Sequence, residues 1–298
     1  MLARLQRITT IGLLAIALLW AIAASRQGAH GWAVAGALLI AFGYAIVLGL
    51  EFVLLRHTHG EDPAPRATPT QLLRAWWGEV HTAPVVFCWR QPFRSQVWPD
   101  HLPAGAQGRR GLLLIHGFVC NRGLWNPWLE RLTADGTPFV AINLEPVFGS
   151  IDDYIAVVED GVRRLEQATG CAPVAVAHSM GGLALRRWWA ERGDDARLHH
   201  AITIGTPHHG TWLARFALTR NGEQMQHHSR WLQGLAAREP AGRPARFTCF
   251  YGHCDNIVFP PSTATLAGAQ NRHLAGVAHV HMAARPEPWD EVQHWLRG

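Results

Sequence analysis

The chain has 298 residues, a formal net charge of +5 and hydrophobic residues at 48% of its positions. Part of the positive charge comes from arginines beside apolar runs, which suits anionic lipid headgroups better than a nucleic-acid groove. The sequence contains no nucleic-acid-binding motif, and we therefore expect no nucleic-acid partner.

Two long apolar runs occupy the N-terminal part of the chain. Residues 8–24 carry no charge, and residues 32–50 form a second run that continues to Leu55 across Glu51. Each is close to the ~20 residues that cross a bilayer, so residues 1–59 are predicted to form a two-helix transmembrane hairpin. The first run could instead be a cleaved signal peptide, and the second a buried core helix. Inside a membrane, Glu51 must lie at the interface or find a partner.

Arginines predict the orientation of this hairpin, since the chain has no lysine. The connection between the two runs carries only Arg26, whereas five arginines lie outside the hairpin: Arg4, Arg7, Arg56, Arg66 and Arg74. Both ends are therefore predicted to face the cytoplasm. The five cysteines have no metal-type spacing and favour the same side as reduced thiols, although the odd count also allows two disulfides elsewhere.

Residues 60–83 are predicted to be a linker followed by a helix. Pro63, Pro65 and Pro69 stand among polar residues, which indicates an exposed segment. Within residues 70–81, apolar side chains then recur at helical spacing: Leu72, Leu73, Trp76, Trp77 and Val80. This helix either lies at the membrane interface or packs on the following domain.

Residues 84–298 alternate between short apolar runs and helical segments. The runs predicted as strands are residues 85–89, 112–115, 139–144, 174–177, 201–204, 247–251 and 274–280. This alternation predicts an α/β domain with a mostly parallel sheet flanked by helices. Residues 211–243 interrupt the alternation and are predicted to form a small helical cap, whose apolar side chains would line a cleft opposite Phe118, Trp125 and Trp128.

The most informative motif is Ala-His-Ser-Met-Gly-Gly at residues 177–182, between a predicted strand and a helix. A serine on such a sharp turn projects its hydroxyl above the sheet, and the turn requires small residues two positions before and after it. Ala177 and Gly181 meet that requirement. Ser179 is therefore the predicted nucleophile, and a serine that only caps the helix is the alternative.

Backbone amides near the serine are candidates for an oxyanion hole. The run 112–115 ends in His116-Gly117-Phe118, the place where a strand end can supply one N–H group, and the residue after the serine supplies the other. Phe118 and Met180 are the predicted donors. A glycine that merely ends the strand is the alternative.

A serine hydroxyl needs a base and an orienting carboxylate, expected in the order Ser, Asp, His. Asp255 follows the predicted strand 247–251, although an aspartate beside asparagine can also be a turn former. His279 precedes the final amphipathic segment and is the predicted base. His281 is a competitor two residues later, and His253 and His273 are weaker candidates.

These residues resemble the α/β-hydrolase superfamily, and within it the bacterial lipases and esterases. The resemblance covers roughly residues 84–298 and includes Gly-Thr-Pro-His-His-Gly at 205–210, similar to a segment that follows the sixth strand in many lipases. It implies a Ser179, Asp255, His279 triad with Phe118 and Met180 as oxyanion donors, acting on an acyl-ester or lipid substrate. Some such lipases hold a structural calcium, but no ligands can be assigned here, and we expect no cofactor or metal.

The sequence thus predicts a membrane-anchored ester hydrolase of a bacterial inner membrane, with its catalytic domain in the cytoplasm or, alternatively, the periplasm. An acyltransferase or thioesterase would use the same triad, and a catalytically silent scaffold is an alternative of another class. The linker also predicts that residues 1–60 can be removed without much effect on the hydrolysis of soluble short-chain esters.

Overall fold

The computed structural model describes residues 1–297 and contains one central β-sheet. Its strands are β1 (Leu112–Ile115), β2 (Phe139–Ile142), β3 (Val174–His178), β4 (His200–Ile204), β5 (Phe247–Tyr251) and β6 (Gln270–His273). They pair in the order β2-β1-β3-β4-β5-β6, and every neighbouring pair is parallel. The predicted α/β fold with a mostly parallel sheet is confirmed.

Helices precede the sheet and cover both of its faces. The α-helices are α1 (Leu2–Arg26), α2 (His30–Phe42), α3 (Tyr44–Thr58), α4 (Pro69–Pro84), α5 (Gln91–Phe93), α6 (Asn126–Ala134), α7 (Ile155–Thr169), α8 (Met180–Arg192), α9 (Arg220–Gln224), α10 (Arg230–Ala236) and α11 (Pro286–Arg297). A π-helix, Val85–Arg90, joins α4 to α5. The 3₁₀-helices are Arg122–Trp125, Ile151–Tyr154, Asp195–Arg197, Trp212–Phe216, Arg243–Arg246, Pro261–Ala264 and His281–Ala284.

The inner strands are mostly apolar because helices cover the sheet on both sides. Successive side chains of a strand point to opposite faces. Leu113 and Ile115 therefore pack in one cluster with residues of α7 and α8, whereas Leu112 and Leu114 pack in another with α6 and α11. This arrangement leaves the carboxyl ends of the strands as the edge where polar side chains can meet.

Two predicted strands are wrong. Residues 85–89 belong to the π-helix that continues α4, and residues 274–280 form a loop. A short apolar run fits a buried strand and a buried helix equally, so length and periodicity could not separate them. The last strand is instead β6, whose polar side chains are mostly exposed because it lies at the edge of the sheet.

The N-terminal apolar runs form three helices. Among the residues described, α1 alone is long and apolar enough to cross a membrane as a single helix, whereas α2 and α3 reach that length only as one bent span. The bend is 54° and lies at Gly43, where a Cβ would sit 2.6 Å from the Leu39 carbonyl oxygen. The second apolar run, predicted as one helix, therefore forms two helices. Glycine is a common residue at such helix kinks.

Helices α1 and α2 pack closely. The indole of Trp20 donates to the Trp32 carbonyl at 2.8 Å, and a Cβ on Gly36 would lie 1.9 Å from the same ring. At the start of α1, buried Gln6 donates to the Gln91 side chain at 2.7 Å.

Helices α3 and α4 pack on the domain that contains the sheet. Phe52 and Leu55 of α3 share an apolar cluster with Phe259 and Ala278, so this part of the N-terminal region is in contact with the domain that the sequence separated from it. On α4, Ala75 packs in the same cluster, whereas Leu73 and Trp77 are 63% and 58% exposed. The helix therefore has one packed face and one free apolar face.

Candidate active site

Ser179 occupies a strained turn between β3 and α8. Its φ of 55° and ψ of −131° lie outside the regions that residues with a side chain favour. The Ser179 amide donates to the Ile204 carbonyl of β4 at 2.8 Å, which holds the turn against the sheet. Such strain at a buried residue, 7% exposed, is typical of a functional position.

Small residues surround this serine because the backbone passes closely on both sides. A Cβ on Gly181 would lie 2.5 Å from the His116 carbonyl oxygen, so α8 could not begin this close to β1 with a larger residue. A Cβ on Gly117 would lie 2.7 Å from the Ser179 Cβ. Gly117 therefore allows the loop after β1 to lie directly against Ser179.

Asp255 and His279, the predicted acid and base, are hydrogen-bonded to each other. His279 Nδ1 donates to Asp255 Oδ2 at 2.9 Å. The other carboxylate oxygen accepts from the amides of Ile257 at 2.9 Å and Val258 at 2.8 Å. Three donors thus orient a carboxylate that is 1% exposed.

The surroundings of His279 favour its charged form. Burial of the ring opposes protonation, but the Asp255 carboxylate, through its charge and its hydrogen bond, together with Glu79 and Glu51, raises the pKa of His279 above its ordinary value. Because Nδ1 donates to Asp255, Nε2 keeps the lone pair that a general base requires.

Gly205 and His178 lie between the serine turn and the hydrogen-bonded pair of Asp255 and His279. A Cβ on Gly205, the residue after β4, would lie 3.0 Å from both Asp255 Oδ2 and His279 Nδ1. The His178 ring is 4.7 Å from the His279 ring, and its Nε2 is 3.1 Å from the His279 carbonyl oxygen. Within residues 1–297 no hydrogen bond joins the Ser179 hydroxyl to His279, a contact that often forms only when substrate is bound.

The predicted oxyanion donors flank the serine. Met180 is the first residue of α8, where the backbone N–H groups have no partner inside the helix. Phe118 follows Gly117 in the loop after β1, and Val119 next to it has a positive φ of 52°.

His116 fixes this oxyanion loop. Its Nδ1 donates to the Gly117 carbonyl at 2.9 Å, and its Nε2 accepts from the Leu144 amide at 2.9 Å. Burial lowers the pKa of His116 to about 4, so the ring stays neutral and keeps one donor and one acceptor. Its role here is to hold the loop.

The competing histidines have other partners. The His281 amide donates to Glu79, and its ring lies against Gly78 of α4. His253 accepts from the Gly276 amide at 3.2 Å, and its ring is 4.6 Å from that of His273. Only His279 of these four is hydrogen-bonded to Asp255.

Two of the aromatic residues expected along the cleft belong to the core. Trp125 is fully buried, and Trp128 is 5% exposed and stacks edge-on against Trp289 of α11. Phe118 is partly buried and contacts the exposed Phe148, with ring centroids 6.0 Å apart. Trp125 and Trp128 therefore do not line an open cleft.

Sequence reasoning missed three polar residues that contact the catalytic loop. Asn256 accepts from the His279 amide at 3.1 Å, and Glu51 accepts from Asn256 at 2.6 Å. Glu79 accepts from the amides of Val280 and His281. Asn256 stands beside Asp255, and Glu51 interrupts an apolar run, but neither observation points to His279, and both glutamates lie about 200 residues before their partners in the chain.

A parallel sheet that carries a strained serine after β3, followed along the chain by a hydrogen-bonded aspartate and histidine, has the organisation of the α/β-hydrolase fold. Comparison with solved structures establishes this fold. A mature lipase from Bacillus licheniformis matches with a TM-score of 0.57 and 17% identity, over 66% of this chain and 96% of the lipase. Lipase B from Aspergillus fumigatus matches with a TM-score of 0.50 and 20% identity, over 63% and 54%. No protein-family model and no curated protein sequence matches the chain.

Proposed function

We propose that this chain is a membrane-anchored serine hydrolase that cleaves carboxylic acyl esters, of the lipase or esterase type. The proposal is carried by the strained turn at Ser179 together with the 2.9 Å hydrogen bond between His279 and Asp255. The two solved structures described above are lipases, which favours the lipase or esterase class.

In the proposed reaction, the Ser179 hydroxyl oxygen attacks the acyl carbonyl carbon while His279 Nε2 takes its proton. The N–H groups of Phe118 and Met180 donate to the oxyanion that forms, and Asp255 stabilises the imidazolium. His279 then passes the proton to the leaving alcohol oxygen, and the C–O bond breaks to give an acyl-enzyme. Water, deprotonated by His279, attacks the acyl-enzyme, and the proton returns to Ser179 as the acid is released.

Replacement of the nucleophile tests this proposal. Ser179→Ala should lower ester hydrolysis by roughly 10³-fold or more, because the hydroxyl is lost while packing is nearly unchanged. Activity is measured on a panel of esters, and circular dichroism establishes that the variant is folded. A folded variant with wild-type activity would overturn the assignment.

Two further experiments separate the alternatives. An added alcohol acceptor would identify an acyltransferase through formation of a new ester, and a thioester substrate would identify a thioesterase through release of a free thiol. A scaffold would leave Ser179 unlabelled by a fluorophosphonate, since nothing requires it to activate that hydroxyl.

We further propose that a bacterial inner membrane is the partner of the N-terminal helices and that the substrate is an acyl ester or lipid reaching the site from that membrane. The support is the large apolar surface of α1, whose side chains are mostly exposed, among them Ile8, Ile11, Leu14, Leu18 and Leu19. The arginines outside the two runs favour a catalytic domain on the cytoplasmic side.

A further inference from the structure

The loop that carries His279 is hydrogen-bonded to a buried glutamate of α4. Glu79 is 1% exposed, and its two carboxylate oxygens accept from the Val280 amide at 3.0 Å and the His281 amide at 3.1 Å. A buried carboxylate is costly unless it is well partnered, and these two amides are the partners. Glu79 therefore fixes the backbone immediately after the proposed base.

The same loop is connected to α3 through Asn256. Glu51 Oε2 accepts from Asn256 Nδ2 at 2.6 Å, and Asn256 Oδ1 accepts from the His279 amide at 3.1 Å. Asn256 is fully buried and follows Asp255 directly. Two hydrogen bonds in series, which we call the Asn256 relay, thus connect Glu51 of α3 to the backbone of His279.

Both glutamates also act on the charge of the His279 ring. The charges of Asp255, Glu79 and Glu51 raise the pKa of this ring, and the ring of His178 lies 4.7 Å away. Burial raises the pKa of Glu79 to about 7, while its two amide donors and His279 counter that effect. Each carboxylate, when ionised, favours the protonated imidazole that forms during the proposed acyl transfer.

We propose that Glu51 and Glu79 are positioning residues for His279, so that α3 and α4 are a working part of the active site in addition to any role in the membrane. This inference rests on the proposed hydrolase function. Its physical basis is that a base displaced by about 1 Å can lose on the order of 10²-fold in rate.

Kinetics of the full-length protein in detergent test the proposal. Glu51→Ala and Glu79→Gln should lower kcat about 10- to 100-fold with KM nearly unchanged, because they misplace the base without touching bound substrate. Glu51→Gln keeps an oxygen that can accept from Asn256 and should recover most of the activity. Glu61→Ala is the matched control, since Glu61 is exposed on the neighbouring segment.

The pH profile adds a readout that a purely structural role would not move. Activity requires neutral His279, so kcat/KM falls as pH drops through the raised pKa of that ring. Glu79→Gln removes a carboxylate that favours the imidazolium and should shift this acidic limb to lower pH. A wild-type kcat and an unshifted limb in both Glu51→Ala and Glu79→Gln would overturn the proposal.

A double-mutant cycle tests the relay through Asn256. If Glu51 acts on His279 only through Asn256, the Glu51→Ala/Asn256→Ala double variant should lose no more kcat than Asn256→Ala alone. Fully additive losses would mean that Glu51 does not act through Asn256.

Hydrogen–deuterium exchange provides a measurement that does not depend on catalysis. Peptides that contain the amides of His279, Val280 and His281 should exchange faster in Glu51→Ala and Glu79→Gln than in the wild type or Glu61→Ala. Unchanged exchange would refute the positioning role even if the wild type had no esterase activity. Suppose that exchange is faster in the variants, but that the protein does not hydrolyse esters and its Ser179 is not labelled by a fluorophosphonate. This result would support the positioning contacts and refute the proposed function.

Discussion

At the scale of single residues, the site depends on which histidine meets Asp255. His279 and His281 are two positions apart, and spacing alone would allow either to be the base. His279 donates to Asp255 at 2.9 Å, whereas the His281 backbone is bound to Glu79 and its ring faces Gly78. A 3₁₀-helix begins at His281, whereas His279 lies before it.

The two histidines should therefore differ sharply when replaced. His279→Ala should lose roughly as much activity as a variant without the nucleophile, since residues of a triad act as a unit. His281→Ala should keep most of its activity because its ring has no partner in the proposed chemistry. Steady-state hydrolysis of a soluble ester measures both variants, and the opposite ranking would move the base to His281.

At the scale of elements, Gly117 joins the oxyanion loop to the nucleophile turn. A methyl group there would lie 2.7 Å from the Ser179 Cβ and 3.3 Å from its Oγ, a separation that forces one of the two segments to move. We expect Gly117→Ala to reduce kcat by about 10²-fold, since the predicted oxyanion donor Phe118 would be displaced with the loop.

The matched control for this substitution is Gly105→Ala. A Cβ at Gly105 has no atom within 4 Å, so the same chemical change carries no steric consequence there. Comparable kcat values for the two alanine variants would show that the close approach at Gly117 has no bearing on the reaction.

The sequence predicted the elements that have a strong local signal. Strands β1 and β5 begin and end where the apolar runs do, because a fully buried parallel strand is apolar on both faces. The run at 85–89 was misassigned because it continues a helix that begins at the Thr68 capping box, well before the run itself. The polar strand β6 lacks the apolar pattern altogether.

The candidate site was predictable to a similar extent. Ser179 was predicted because its turn demands small neighbours, and Asp255 because it follows a strand end; the structure has the strained turn and the hydrogen bond from His279 to Asp255. Glu79 and Glu51 could not be found in this way, since their partners are backbone amides and a side-chain amide about 200 residues away. Contacts of that kind leave no periodicity or spacing in the sequence.

At the scale of the whole molecule, the N-terminal helices and the catalytic region are not simply tethered. The sequence led us to expect that residues 1–60 are dispensable for soluble substrates. The structure instead buries Phe52 and Leu55 against Phe259 and Ala278, and joins Glu51 to Asn256. Each buried side chain of this size contributes roughly 2 kcal/mol to stability.

We therefore expect removal of residues 1–60 to lower both the thermal midpoint and kcat on soluble short-chain esters. Phe52→Ala should lower the midpoint by several degrees, whereas Val53→Ala on the same helix should not, because Phe52 is 5% exposed and Val53 64%. A truncated protein with the stability and activity of the full chain would mean that these contacts contribute nothing.

The hydrogen bond between Gln6 and Gln91 requires that the chain between them cross a membrane an even number of times. Gln6 lies at the start of α1, and Gln91 lies beyond α2 and α3. Because their side chains are 2.7 Å apart, the two residues cannot lie on opposite sides of about 30 Å of hydrocarbon. Only an even number of crossings brings both to one side. The 13 residues of α2 rise only about 20 Å, so the return must be completed by the first turns of α3.

Compartment-specific reporters fused at the two ends of the chain should consequently agree, whichever compartment they report. The arginine distribution predicts that both will report the cytoplasm. Two periplasmic signals would mean that the hairpin is inverted but still crosses the membrane an even number of times. Signals from different compartments would mean that Gln6 and Gln91 are not hydrogen-bonded in the membrane.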